Sequence, residues 1–136
     1  MIKKVPAGTG VSYEHQAITY EPRFLGLIPL GYADGIPLGI SGRSVVQVGG
    51  RKVPVIGKVG MDQFMVDLGP DIGDVSVGDT AVLFGDPGFG AASADERGAA
   101  IGSHGDEITN RIAPRLPRAY ERPDYQALET GGSDDV

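Results

Sequence analysis

Two phenols, a glycine-flanked stretch of backbone and one acid are the groups in this sequence whose type and setting could do chemistry. In GVSYEHQ, Tyr13 stands among polar neighbours, either a functional phenol or a half-buried strand aromatic. In LIPLGYADGIPL, Tyr32 sits between small residues directly after an apolar run, and Asp34-Gly35 accounts for a turn. That ring either plugs a core or is aimed at something outside. In GKVGMDQFMVDLG, Gly57 and Gly60 leave backbone unshielded just ahead of Met61-Asp62. Glycine in a strand often marks where a ligand or another chain comes close. A regular strand here would turn Asp62 to the side of Phe64 and Val66, where a carboxylate needs a partner.

Other chemistries lack their parts. The chain has no cysteine, which excludes disulfides and thiolate metal sites and is consistent with a reducing, cytoplasmic setting. His15 and His104 lie far apart, and no His or carboxylate pair has ligand spacing on a predicted helix, so no metal is expected. There is no G-x-S-x-G elbow. The glycines of VGGRKVPVIG suit a hairpin rather than a phosphate loop, because no helix follows to hold an anion. A net charge of −6 without a Lys/Arg cluster disfavours nucleic acid. MIKKVPAGTG has no apolar segment behind its basic residues, so no signal peptide is expected. No run approaches the roughly 18 apolar residues of a membrane span.

The elements that must position these groups read mainly as short strands. The chain has 136 residues, 40% hydrophobic and 22% charged, with 22 Gly and 10 Pro set singly between apolar runs. That punctuation belongs to many short strands in one domain. Strands are expected over 10–20, with Val11, Tyr13, His15 and Ala17 on one face, and over 24–32. Two β-branched runs within 44–59 meet at Gly49-Gly50, a hairpin turn needing positive φ. Pro54 should place its strand at an edge or at a bulge. Further strands are expected over 61–69, with Phe64, Val66 and Leu68 on one face, over 80–85, and over EITNRI and RLPRAYE around Pro114. One helix is expected over 93–102, opened by a Ser93–Glu96 capping box and closed at Gly102. Gly98 inside it costs about 1 kcal/mol relative to alanine. This is an all-β pattern, a small closed barrel with one short helix over 1–125, followed by a flexible acidic tail over 126–136.

Taken together, AGTGVSY, IPLGYADG, GKVGMDQFMVDLG, GDTAVLFG and RIAPRLPRAY, in this order from Pro6 to Tyr120, resemble the C-terminal domain of alanine racemases. These are barrel-type (fold type III) pyridoxal-phosphate amino-acid racemases. The resemblance implies a closed Greek-key β-barrel, with pyridoxal phosphate carried mainly by a separate N-terminal TIM-type barrel through a Schiff-base lysine. Lys3, Lys4, Lys52 and Lys58 lie in no such βα context. The chain therefore reads as part of an enzyme, a domain excised from a longer chain rather than a stand-alone copy. The isolated domain is expected to be inactive. In the family, the C-terminal domain of one subunit completes the active site of the other in a head-to-tail homodimer.

Residue by residue, Tyr13 matches the family's tyrosine base, which exchanges the Cα proton of alanine on one face of the pyridoxal-phosphate aldimine while the cofactor lysine works on the other. The cofactor ring supplies the electron sink. A free tyrosine has a pKa near 10 and needs cations or hydrogen bonds to act as a base near neutrality. The chain offers His15 as its sole candidate activator, so the activator is expected from the N-terminal barrel. Met61 matches the position whose backbone N–H binds the substrate carboxylate. Tyr32 and Asp62 match residues lining a narrow entrance that admits small amino acids. The implied role is D-alanine supply for cell-wall peptidoglycan.

This sequence departs from the family pattern at three places. Leu38 and Lys58 stand where arginine is common, and Asp106 stands where a tyrosine usually helps hold the cofactor phosphate. A carboxylate facing a phosphate dianion repels it, so Asp106 must turn away or be screened. Two alternatives follow: a non-catalytic assembly barrel that kept the dimer surface, or a related racemase with another amino-acid substrate. An upstream barrel with its lysine separates the first from an enzyme. Comparing alanine with serine and longer amino acids separates the second.

Overall fold

The computed structural model describes residues 1–11 and 17–120, with backbone alone at 17 and 18. Tyr13 and His15, and the expected tail over 126–136, lie outside the described residues. Eight strands are described: β1 (Ile2–Val5), β2 (Gly10–Val11), β3 (Ala17–Ile18), β4 (Arg23–Ile28), β5 (Val45–Val48), β6 (Arg51–Ile56), β7 (Phe64–Gly69) and β8 (Ala81–Val82). Two short helices follow, α1 (Ala94–Ala99) and α2 (Gly105–Asn110). Six strands form one antiparallel sheet in the order β1-β4-β7-β6-β5-β8, and β2 pairs only with β3. The class is all-β, as expected. Hydrogen bonds do not close the sheet into a barrel among the described residues, since β1 and β8 remain its two ends.

Alternation in β7 sets the core. Phe64, Val66 and Leu68 are buried while Met65, Asp67 and Gly69 are only partly so, which is the period-2 signature of a strand with one core face. They pack with Ile28, Ile36, Ile40, Val46, Val48, Val53, Val55, Val59 and Val75. A second, smaller cluster, Val5, Val11 and Leu25 with Ile56 and Met65, covers the opposite face. Burying each large aliphatic or aromatic side chain contributes about 1.5–3 kcal/mol, so this face holds the sheet together.

The β5–β6 hairpin turns at Gly49 and Gly50 with φ of 57° and 77°, the pair of left-handed residues that a type I′ turn needs. Pro54 is not on an edge strand, because β6 lies between β5 and β7. Its strand pairs with β5 through Arg51–Pro54 and with β7 only from Val55 onward. Val55 N–H donates to Ser44 O at 2.8 Å, so by antiparallel alternation the Pro54 nitrogen faces the β7 side. The β7 ladder starts one residue later, and no donor is missed.

Several local expectations need correction. The stretch 10–20 is not one strand but a short hairpin, with Gly10 opposite Ile18 and Val11 opposite Ala17. The strand over 24–32 ends at Ile28, before Pro29, where the missing N–H breaks the ladder. Of 80–85, only Ala81 and Val82 pair. The helix expected over 93–102 is shorter but opens as read, with Ser93 Oγ accepting Glu96 N–H at 3.0 Å. Gly98 has a packing reason, since a Cβ there would lie 2.5 Å from the His104 carbonyl carbon. EITNRI is not a strand but forms most of α2. Asp106 and Glu107 occupy its first turn, where they favour the positive end of the helix dipole. RLPRAYE forms no strand among its described residues, 115–120.

Arg97 ties α1 to the sheet. It is 3% exposed and donates to Ser44 Oγ, Val45 O and Leu83 O. Burial pushes its pKa down to about 10. Three oxygen acceptors satisfy this buried guanidinium, which makes it a clamp between the helix and the strands β5 and β8.

Candidate functional site

Two of the expected site residues, Tyr32 and Met61, are brought together where one turn docks on a bend. After β4, residues Tyr32–Asp34 form a single 3-10 turn, entered at Gly31 and left at Gly35 with φ of 97°. The turn docks on the bend between β6 and β7. Tyr32 N–H donates to Gly60 O at 2.9 Å, and Ala33 N–H donates to Met61 O at 3.0 Å. Gly31 permits this approach, because a Cβ there would lie 2.3 Å from both the Gly60 and Met61 oxygens. Gly31 thus lets two backbones pack too tightly for a side chain between them.

Tyr32 and Met61 consequently share a neighbourhood, 49% and 53% exposed, with Leu38 nearby at 47%. Tyr32 is therefore not a core plug, which settles the choice the sequence left open. Gly60 N–H donates back to Gln63 O at 2.8 Å, holding the bend. No backbone carbonyl among the described residues accepts the Met61 N–H. Asp62 differs from its expectation. The strand begins only at Phe64, so Asp62 lies in the bend and is exposed rather than facing the core beside Phe64 and Val66. Water solvates that carboxylate, and no buried partner is required.

An open cleft runs from Tyr32 along Pro37 and Leu38 to Ile101, Ser103, Glu107 and Arg111. The wall beyond Ile101 was not foreseen, because α2 had been read as a strand. Glu107 accepts a hydrogen bond from Ser103 Oγ, and Arg111 donates to it at 3.2 Å. The Ser103 hydroxyl, then the Arg111 charge, hold the Glu107 carboxyl below its ordinary value. The four-residue spacings Ser103–Glu107 and Glu107–Arg111 were legible signals of a helix. Asp106 lies beside Glu107 in the first turn of α2, exposed, and Lys58 is exposed between Gly57 and Val59. Tyr13 lies outside the described residues, so the structure does not place it against this cleft. Among the described residues, no three His, Asp or Glu side chains form a group able to hold a metal. No helix among them is long and apolar enough to cross a membrane.

Known proteins share this fold. The family described as alanine racemase, C-terminal domain, matches residues 1–120. The alanine racemase of Frankia casuarinae is 45% identical over 120 residues, covering 88% of this chain and 31% of that protein. Among solved structures, alanine racemase from D-cycloserine-producing Streptomyces lavendulae superposes with a TM-score of 0.83 at 43% identity, over 92% of this chain and 32% of that one. Alanine racemase from Bartonella henselae, with covalently bound pyridoxal phosphate, gives 0.80 at 28% identity, over 88% and 32%. The chain spans about a third of the length of these relatives. With its fold and nearly its whole length matched, the chain belongs to the family of alanine racemase C-terminal domains.

Proposed function

We propose that this chain works as the C-terminal domain of a cytoplasmic alanine racemase, an isomerase interconverting L- and D-alanine for cell-wall precursors. In this reading it pairs with an N-terminal TIM-type barrel and with a second subunit in a homodimer, whose active site it completes. The observation carrying the proposal is the docked pair of turns. They hold Tyr32 and Met61 together on an exposed face, with the Met61 N–H taken by no backbone carbonyl among the described residues.

Each residue has a defined task. The Met61 N–H donates to the substrate carboxylate and fixes which way the amino acid faces. Tyr13 holds and moves a proton at Cα on one face. Tyr32 and Asp62 narrow the entrance, and Leu38 makes it less polar than an arginine would. Pyridoxal phosphate, which the Bartonella henselae relative carries, would belong to the companion domain. This chain's residues do not fit its phosphate. The expected position carries Asp106, an exposed carboxylate with Glu107 beside it, and like charges repel.

The test is racemisation of L-alanine with added pyridoxal phosphate, by this chain alone and mixed with a separately expressed N-terminal barrel, with Tyr13→Phe in parallel. Activity is expected only in the mixture, falling at least ~100-fold with Tyr13→Phe, the scale of a lost acid–base group. A mixture that demonstrably assembles yet stays silent overturns the proposal.

A further inference from the structure

Asp34 is fully buried at 0% exposure, directly behind Tyr32 in the same turn. Its Oδ2 accepts Gly31 N–H at 3.0 Å, which closes the turn on itself. Oδ1 faces the guanidinium of Arg115 as an ion pair. Arg115 reaches in from the surface, its own side chain 60% exposed. Two backbone contacts lie alongside. Ala113 N–H donates to Asp34 O at 3.0 Å, and the Arg111 carbonyl oxygen lies where a Cβ on Gly35 would be 2.0 Å away. The turn is therefore gripped at the front by Gly60–Met61 and at the back by the chain leaving α2.

A carboxylate is costly in such a place unless it is paired. An asparagine oxygen would still accept Gly31 N–H, if more weakly than a carboxylate, so closing the turn does not by itself call for a charge. Among the described residues the ion-pair partner of Asp34 is Arg115, on the segment that continues from Glu107 and Arg111 on the cleft wall. We infer that Asp34 and Arg115 form a positioning pair, which locks the Tyr32 turn to the end of α2 and so sets where Tyr32 stands relative to Met61 and the cleft. Its consequence for catalysis rests on the racemase reading; its consequence for the turn does not.

The experiment follows amide hydrogen exchange and Tyr32 ring resonances by NMR in this chain, for Asp34→Asn, Arg115→Met and Arg115→Lys. Asp34→Asn keeps the Gly31 acceptor and removes only the charge, and Arg115→Met changes an exposed side chain in case the first variant folds poorly. The Tyr32 and Ala33 amides should exchange at least 10-fold faster in both, with shifted Tyr32 ring signals, while β4 and β7 amides keep their rates. Arg115→Lys should restore protection to within about 3-fold. Uniform loosening of turn and sheet together, or no change at Tyr32, overturns the inference. In the racemisation mixture the same two variants should raise KM for alanine about 10-fold with kcat nearly unchanged. An inactive wild-type mixture would refute the racemase reading alone, because the exchange result judges the positioning pair independently.

Discussion

Gly31→Ala is the sharpest probe of how the site is assembled. Gly31 has φ −146° and ψ −164°, extended backbone open to any residue, so alanine meets no dihedral penalty. Its methyl would instead lie 2.3 Å from both the Gly60 and Met61 carbonyl oxygens, about 1 Å inside normal carbon–oxygen contact. Both are main-chain atoms held by β6 and β7, so the turn must retreat. Retreat breaks the Tyr32 N–H to Gly60 and Ala33 N–H to Met61 hydrogen bonds. Overpacking costs about 1–3 kcal/mol and each of the two lost bonds about 1 kcal/mol, giving an expected loss of about 3–5 kcal/mol. For a domain of this size that lowers Tm by roughly 10–20 °C. Urea unfolding followed by far-UV circular dichroism measures it, with Gly42→Ala as the comparison. Gly42 has φ +66° and nothing within 4 Å of a Cβ, so its alanine carries only the left-handed penalty, about 1–2 kcal/mol. Gly31→Ala costing no more than Gly42→Ala would refute the close approach of the two turns.

Two further outcomes follow from the buried and charged groups. Arg97→Met should cost about 2–4 kcal/mol, because Ser44 Oγ, Val45 O and Leu83 O lose their donor; a loss below about 1 kcal/mol in urea unfolding would contradict the clamp. Glu107 has a folded pKa below its ordinary value of 4.5, first through Ser103 and then Arg111. Its contribution is therefore complete above the unfolded pKa and disappears as pH falls through the folded one. Glu107→Gln should unfold more easily than wild type above about pH 5, and the difference should close as pH falls through the folded pKa; a difference that persists in strong acid would show another cause.

Much of the fold was legible in short windows. Alternation over Phe64, Val66 and Leu68 marks a strand, Gly49-Gly50 marks a hairpin, and Ser93 with Glu96 marks a helix start. Each rests on contacts between near neighbours, which local patterns encode. The GYADG and VGMDQF stretches stood out as candidates through their glycines, which often mark where a ligand or another chain comes close. What escaped was set by contacts between distant residues. The six residues of α2 read equally well as a strand, and it is packing of Ile108 and Gly105 against α1 and the core that selects the helix. Asp62 turned outward because β7 starts at Phe64, three residues later than alternation alone implies. Arg97 meets Ser44 across 53 positions of sequence, and Asp34 meets Arg115 across a stretch that holds β5 to β8 and both helices. The residue types of the site are thus written in the chain, while their partners come from tertiary packing, since a buried charge is tolerable only where folding delivers its counterpart.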